Sequence, residues 1–286
     1  MDWFTPAILV GPRLQLDALT PDDAEGYLRA LGDDAAAAEV TEHLSVAPPA
    51  SVAAAEALIE RALADPGRVP YAQRLRDTGE FVGTSSFYDI DPVNRAIAIG
   101  HTWLARPHWR TGLNSESKLL MMRFAFERLG AERVVWHTDD RNVRSQAAIE
   151  RLGATREGVL RHHRIRRDGS WRDTVSYAML AAEWPAAKHR LVDDLPLDVA
   201  RLDAENRYVA TFGAEQVAEI NYLPQGRALF ITHTGTTPSW RRCGIAARIT
   251  RAALDDIRER GLQVRPGCSY TQRFLAEHPD YADLRG

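Results

Sequence analysis

Trp109-Arg110-Thr111-Gly112-Leu113-Asn114 and Arg241-Arg242-Cys243-Gly244-Ile245-Ala246 hold equivalent places in the two halves of the chain. Each follows strand-like runs and opens a long amphipathic helix that a glycine stops, Gly130 in the first half and Gly261 in the second. The first N–H groups of a helix have no partner within it, its dipole favours an anion there, and glycine lets the backbone come close. A strand, a Gly-bearing loop and a helix in that order therefore form a device for holding phosphate. Because the device occurs twice, the chain reads as a diverged tandem repeat.

Working outward from the first loop, the spacing predicts a strand over 9–16, helices over 20–31 and 51–64, and three antiparallel strands over 71–76, 81–90 and 96–105. Turn signals at Asp77-Thr78-Gly79 and Asp91-Pro92-Val93-Asn94 separate the strands. Beyond Gly130 come a buried strand over 133–138, a helix over 142–152 and strands over 159–165 and 174–180. A polar stretch with Asp193-Asp194-Leu195-Pro196 reads as a connection, which divides the chain into 1–187, a linker 188–203, and 204–286. The last part repeats the pattern, with strands over 208–212, 215–223 and 229–234, the loop, a helix over 246–260, a short strand into Cys268 and a helix over 271–277. The expected class is α/β (α+β), two tandem domains, each a mixed, mostly antiparallel sheet flanked by helices.

Composition removes several function classes. The 286 residues carry 36 Lys+Arg against 39 Asp+Glu, so no broad cationic field exists to grip a nucleic acid. Two cysteines, without a CxxC or a Cys/His cluster, are too few for a disulfide framework or a zinc site, and no metal is expected. No run approaches the ~18 apolar residues that cross a bilayer, and Met1-Asp2-Trp3-Phe4-Thr5-Pro6 lacks a basic leader, so the expectation is a cytoplasmic protein without a membrane partner.

Arg241-Arg242-Cys243-Gly244-Ile245-Ala246 matches the Q/R-x-x-G-x-G/A signature of the GNAT superfamily of N-acetyltransferases. The second half, with Thr232-His233-Thr234, Pro266-Gly267-Cys268-Ser269-Tyr270 and His278-Pro279-Asp280-Tyr281, resembles the small, minimal GNAT-like domains. The first half resembles the Rim-type branch, which includes ribosomal-protein N-terminal acetyltransferases. It does so through Ile99-Gly100-His101-Thr102-Trp103-Leu104, the loop, Asn142-Val143-Arg144-Ser145 and Glu157-Gly158-Val159-Leu160-Arg161. Two departures stand out in the first loop: Trp109 fills the Gln/Arg slot and Asn114 the last Gly/Ala slot, leaving Arg110 to reach a phosphate from the neighbouring position.

The resemblance implies acetyl-CoA (CoA) as cofactor and direct transfer of an acetyl group to a primary amine, either a small molecule or a protein N-terminus, in a protein that could form a homodimer. It places cofactor contacts at Trp103, Leu104, Arg110, Thr111, Gly112, Leu113, Asn114 and Asn142, and in the second half at Arg241, Arg242, Gly244, Ile245 and Ala246. Backbone N–H groups near Trp103 and Leu104 would polarise the thioester carbonyl. Ser145 is the candidate general acid for the departing thiolate and Cys268 the candidate acetyl carrier or acceptor-site residue. The position where the Rim-type branch often has an acid is Ala98, so His101, expected on the face of Ile99, and Asp139 are the candidate proton acceptors. A lysine amine near pKa 10.4 is neutral in only about one molecule in 10³ at pH 7, an α-amine in roughly a tenth, so a site with no strong base favours weakly basic acceptors. The contrasting expectation is that one or both halves bind CoA without turnover.

Overall fold

Apolar residues bury most of the strands, and in the computed structural model, which describes residues 2–285, the strands assemble two separate sheets. The chain divides into two units, Met1–Leu191 and Val192–Gly286. The fold class is the one the sequence predicts.

In the first unit β1 (Leu9–Val10) and β2 (Leu14–Ala18) form a tight hairpin, then come α1 (Ala24–Leu31), α2 (Asp34–Thr41) and α3 (Val52–Leu63). Strands β3 (Arg68–Leu75), β4 (Phe81–Asp91) and β5 (Ala96–Leu104) precede α4 (Leu113–Arg123), which continues as a π-helical turn to Leu129. The unit is completed by β6 (Arg133–Asp139), α5 (Val143–Leu152), β7 (Thr155–Ile165), β8 (Trp171–Leu180) and all but the last two residues of α6 (Trp184–Asp193). Its eight strands lie in the order β1-β2-β3-β4-β5-β6-β8-β7, antiparallel except for the parallel pair β5/β6. Leu19, Tyr27, Ile59, Phe81 and Trp103 form a core under α1 and α3, with Tyr27 edge-on to Trp103 at 4.8 Å. On the opposite face Phe87 of β4 meets Phe124, 6.1 Å between ring centres.

The second unit has β9 (Asp198–Leu202), β10 (Arg207–Phe212), β11 (Glu215–Gln225), β12 (Ala228–Thr236), α7 (Ile245–Glu259), β13 (Gln263–Pro266) and α8 (Ser269–Glu277). Its sheet runs β13-β12-β11-β10-β9, and only β12/β13 is parallel. Each unit thus contains three antiparallel strands, the loop, a helix and a parallel strand, so the repeat seen in sequence is a repeat of elements.

Three expectations differ. Residues 9–16 are two strands because Gly11-Pro12 breaks the run, with Gly11 N–H donating to Leu14 O at 2.8 Å. The alanine-rich helix α2, capped by Asp33 on Ala36 N–H, was not foreseen, since an Ala run has no apolar stripe. Residues 188–203, expected as a connection, carry regular structure: α6 runs to Asp193, and β9 is an edge strand on β10. Their polarity belongs to the exposed positions of those elements.

Candidate functional site

In the first unit, the parallel pairing of β5 and β6 begins at Ala96/Arg133 and stops at Ala98/Val135, although β5 continues to Leu104 and β6 to Asp139. The strands part into a V, and backbone groups that would have paired across it face an open gap. At this point β5 also bulges. Thr84 opposes Trp103 and Ser86 opposes Gly100, so one extra residue lies on β5, and His101 takes a φ of 49°. The bulge overturns the expected alternation. Ile99 pairs with Phe87 on the α4 side, while the His101 ring packs edge-on to Tyr88, 5.1 Å away, on the opposite face.

A cleft of about 1380 Å³ runs through this V. A single-ligand pocket is roughly 300–1,000 Å³, so there is room for two reactants. It brings together His101, Trp103, Leu104, Arg110, Gly112, Asn114, Asn142 and Ser145; the side chains of Thr111 and Leu113 are not part of its wall. Strand alternation gives the gap two sides. Trp136 stands opposite Tyr177, whose hydroxyl donates to Glu150 of α5 at 2.9 Å, so this face carries α5. His137 points the other way, with its Nδ1 3.0 Å from the Tyr88 hydroxyl, on the face that carries Arg68 and His101.

The loop on the α5 side is built as an anion cradle. Arg110 and Gly112 both have left-handed φ, 61° and 88°, and no side chain caps α4. A Cβ on Gly112 would stand 3.0 Å from Arg13 Nη2 in a backbone conformation that L side chains resist. Arg13 donates to Thr111 O at 2.9 Å and to the buried Glu116, which also accepts the Arg13 and Leu14 amides at 2.8 and 2.9 Å. These bonds lock the loop to β2. The loop of the second unit repeats the conformation, with Arg242 at 63° and Gly244 at 73°, no side-chain cap, Arg241 and Arg242 exposed, Ile245 buried and Ala246 half-buried.

Trp109 does not leave its slot without a cation. Its Nε1 donates to Leu104 O at 2.8 Å, and its ring carries the Arg144 guanidinium at 3.8 Å. Sequence reasoning missed Arg144; the signal was an arginine inside Asn142-Val143-Arg144-Ser145. Asn142 caps α5, its Oδ1 accepting from Ser145 N–H at 2.9 Å, which leaves its amide N–H₂ able to donate. Trp136 Nε1, also on the cleft wall, is buried with no hydrogen-bond partner. The cradle, the cations and this orphaned donor fit a diphosphate joined to an amide-bearing arm.

The proton-handling candidates separate. His101 lies open to the cleft but is enclosed by protein, and burial, with Arg68 and Arg164 nearby, pushes its pKa down to about 4. It is neutral at pH 7 and a weak base. Asp139 is unsuited to accept a proton. Burial raises its pKa, but two Arg166 bonds of 2.8 Å and the Arg141 amide outweigh that and hold it well below the carboxylate range. Lys118, buried in α4, donates to Ser85 and Thr102 at 2.8 and 2.6 Å, and burial pushes it down to about 7. In the second unit Cys268 is the N-cap of α8; burial raises its thiol, but the amides of Thr271, Tyr270 and Thr234 more than reverse this.

Comparison with known proteins matches residues 13–155 to the acetyltransferase (GNAT) domain family and 207–284 to the GCN5-related N-acetyl-transferase family. The chain is 29% identical over 178 residues to the uncharacterized N-acetyltransferase YoaA of Bacillus subtilis, covering 60% of this chain and 96% of that one. It is 32% identical over 110 residues to the "putative ribosomal N-acetyltransferase YdaF" of the same organism, 38% of this chain and 59% of the relative. Among solved structures, the "putative acetyltransferase from T. thermophilus" is 40% identical with a TM-score of 0.62, covering 68% of this chain and all of that one.

Proposed function

The chain belongs to the GNAT superfamily of acetyl-CoA-dependent N-acetyltransferases, and on that premise we propose that its first unit transfers the acetyl group directly to a primary amine inside the V between β5 and β6. The observation that carries this reading is the early end of the β5/β6 pairing, which opens one gap to both faces of the sheet. Cofactor bound on the α5 face and amine held on the His101 face meet there without a covalent enzyme intermediate.

Acetyl-CoA supplies an acetyl group activated as a thioester. The amides at the start of α4, with Arg110 and Arg144, hold the diphosphate; Asn142 and Trp136 Nε1 donate to the pantetheine arm. Backbone N–H groups near Trp103 and Leu104 face the negative charge that develops on the carbonyl oxygen. The N–C bond forms as the C–S bond breaks; Ser145 gives its proton to the sulfur, and the proton that the nitrogen loses returns to Ser145 through solvent, so that no net proton is taken up or released. His101, neutral and weakly basic, orients the amine rather than deprotonating it. The amine arrives neutral, which suits an α-amine, whether of a small molecule or of a protein N-terminus; the relative YdaF is named a ribosomal N-acetyltransferase. In the second unit the equivalent cradle of Arg241, Arg242, Gly244, Ile245 and Ala246 holds a second CoA, and Cys268 shapes its acceptor side.

Replacing Ser145 with Ala is expected to lower kcat about 10²-fold, the lower end of general-acid effects, with CoA affinity unchanged. Thiol release followed alongside calorimetry checks this; a wild-type rate would refute the acid role.

A further inference from the structure

The face of the sheet turned toward α1 and α3 carries a row of basic and polar groups across six strands. Arg68 on β3 stands opposite Tyr88 on β4, and His101, His137 and Arg172 follow on β5, β6 and β8. The row ends with Arg164 on β7, whose direct cross-strand partner is Arg172. Two guanidinium groups directly opposite each other on one face repel. Neither guanidinium hydrogen-bonds to a carboxylate among the described residues, and the one charge partner of Arg172 is a long contact to Asp139, which Arg166 already holds. The Arg164 guanidinium makes no hydrogen bond or ion pair among the described residues, and Arg172 Nε is buried without a hydrogen-bond partner, its ion pair with Asp139 Oδ2 being 4.0 Å long. Burial lowers the pKa of Arg172; Asp139 opposes this and Arg164 adds to it, and the net direction is down.

The carboxylates around the row are engaged elsewhere or stand at its margin. Asp139 accepts both Arg166 bonds, Asp173 accepts the His162 amide at 2.7 Å, and Asp65 accepts the Gly67 amide at 2.9 Å. Asp89 is exposed, 3.9 Å from His137 Nδ1. What remains is a cationic acceptor side to a cleft whose other side already has its own cations. A polycationic acceptor such as a polyamine would meet repulsion there, whereas an anion between Arg164 and Arg172 would relieve the repulsion and supply the missing partner of the buried Nε.

Resting on the acetyl-transfer reading of the first unit, we propose that its acceptor is a small primary amine bearing a carboxylate, held between Arg164 and Arg172 while the amine points into the V. The transfer converts this amine to its N-acetyl amide and leaves the carboxylate unchanged. The same two arginines make the acceptor side selective.

The test uses the full chain with acetyl-CoA and thiol detection on matched amines: amino acids and their carboxamides, an aminoalkylphosphonate, spermidine, and a C-terminally amidated peptide without acidic side chains. Expressed per neutral amine, because the carboxylate makes its own amine more basic than that of the carboxamide, the carboxylates are expected to exceed their carboxamides about 10- to 100-fold in kcat/KM. Arg164→Gln and Arg172→Gln should each remove most of that preference through KM, with carboxamide turnover and CoA affinity unchanged. Arg164→Gln should also raise the melting temperature of the first unit at low salt by about one to three degrees, because it removes like-charge repulsion. Equal turnover of carboxamides, or a preference for the phosphonate, spermidine or the peptide, would overturn the inference and leave acetyl transfer standing. Calorimetry with the N-acetylated carboxylate reads the anion site alone. Binding that Arg164→Gln abolishes, with no thiol release from any amine, would uphold the site and overturn the transfer reading; absence of both would overturn the two together.

Discussion

Lys118 is the residue whose chemistry departs furthest from its ordinary state. It is fully enclosed with only two hydroxyls as partners, so folding must strip water from a cation or leave the amine neutral, and its pKa falls to about 7. Between about 7 and 10.5 the unfolded chain binds a proton that the folded chain does not, so stability rises with pH across that window, at up to about 1.4 kcal/mol per unit. Lys118→Met should lose this slope and gain stability at pH 6, since Ser85 and Thr102 still bond to each other at 2.7 Å. Thermal melts of the first unit at pH 6, 7.5 and 9 check the sign. His101 follows the same rule at lower pH: its pKa near 4 means that stability falls as pH drops from about 6.5 toward 4. None of this was legible in the sequence, where Lys118 is one basic residue on a helix.

At the scale of the element, the loop before α4 depends on its clamp as much as on its glycine. Glu116 is wholly buried and accepts two amides and one guanidinium N–H from Arg13 and Leu14. Glu116→Ala would orphan these buried donors and is expected to cost about 3 kcal/mol or more. The measurement is unfolding of the first unit together with CoA titration: both should weaken, whereas Arg144→Ala should weaken CoA binding and leave stability almost unchanged. The glycine and the helix start were visible as a pattern. Glu116 and Arg144 were not, because their partners Arg13 and Trp109 lie far off in sequence and only the packing of β2, α4 and α5 brings them near.

For the molecule as a whole, the repeat carries a stoichiometric consequence. Both loops have the same left-handed pair, Arg110 and Gly112 in one, Arg242 and Gly244 in the other. Calorimetry on the full chain is expected to count two CoA per chain. Gly112→Val and Gly244→Val should each reduce the count to one, since a branched residue resists left-handed φ; a count of one for the wild type would show that one cradle is closed. No helix among the described residues is long and apolar enough to cross a membrane.

The order of strands, loops and helices, the repeat, the Gly-bearing loops that open α4 and α7, and Asn142-Ser145 at a helix start could all be read along the chain, because each rests on a local rule: alternation, glycine punctuation or capping. The boundary elements in 188–203 escaped, being short and polar outside. Fully tertiary were the end of β5/β6 pairing after Ala98, the bulge that turns His101 to the other face, the capture of Asp139 by Arg166 and the placement of Arg164 opposite Arg172. Each depends on which residues of distant strands come into register. Register is set by the packing of the whole sheet, not by any stretch of it.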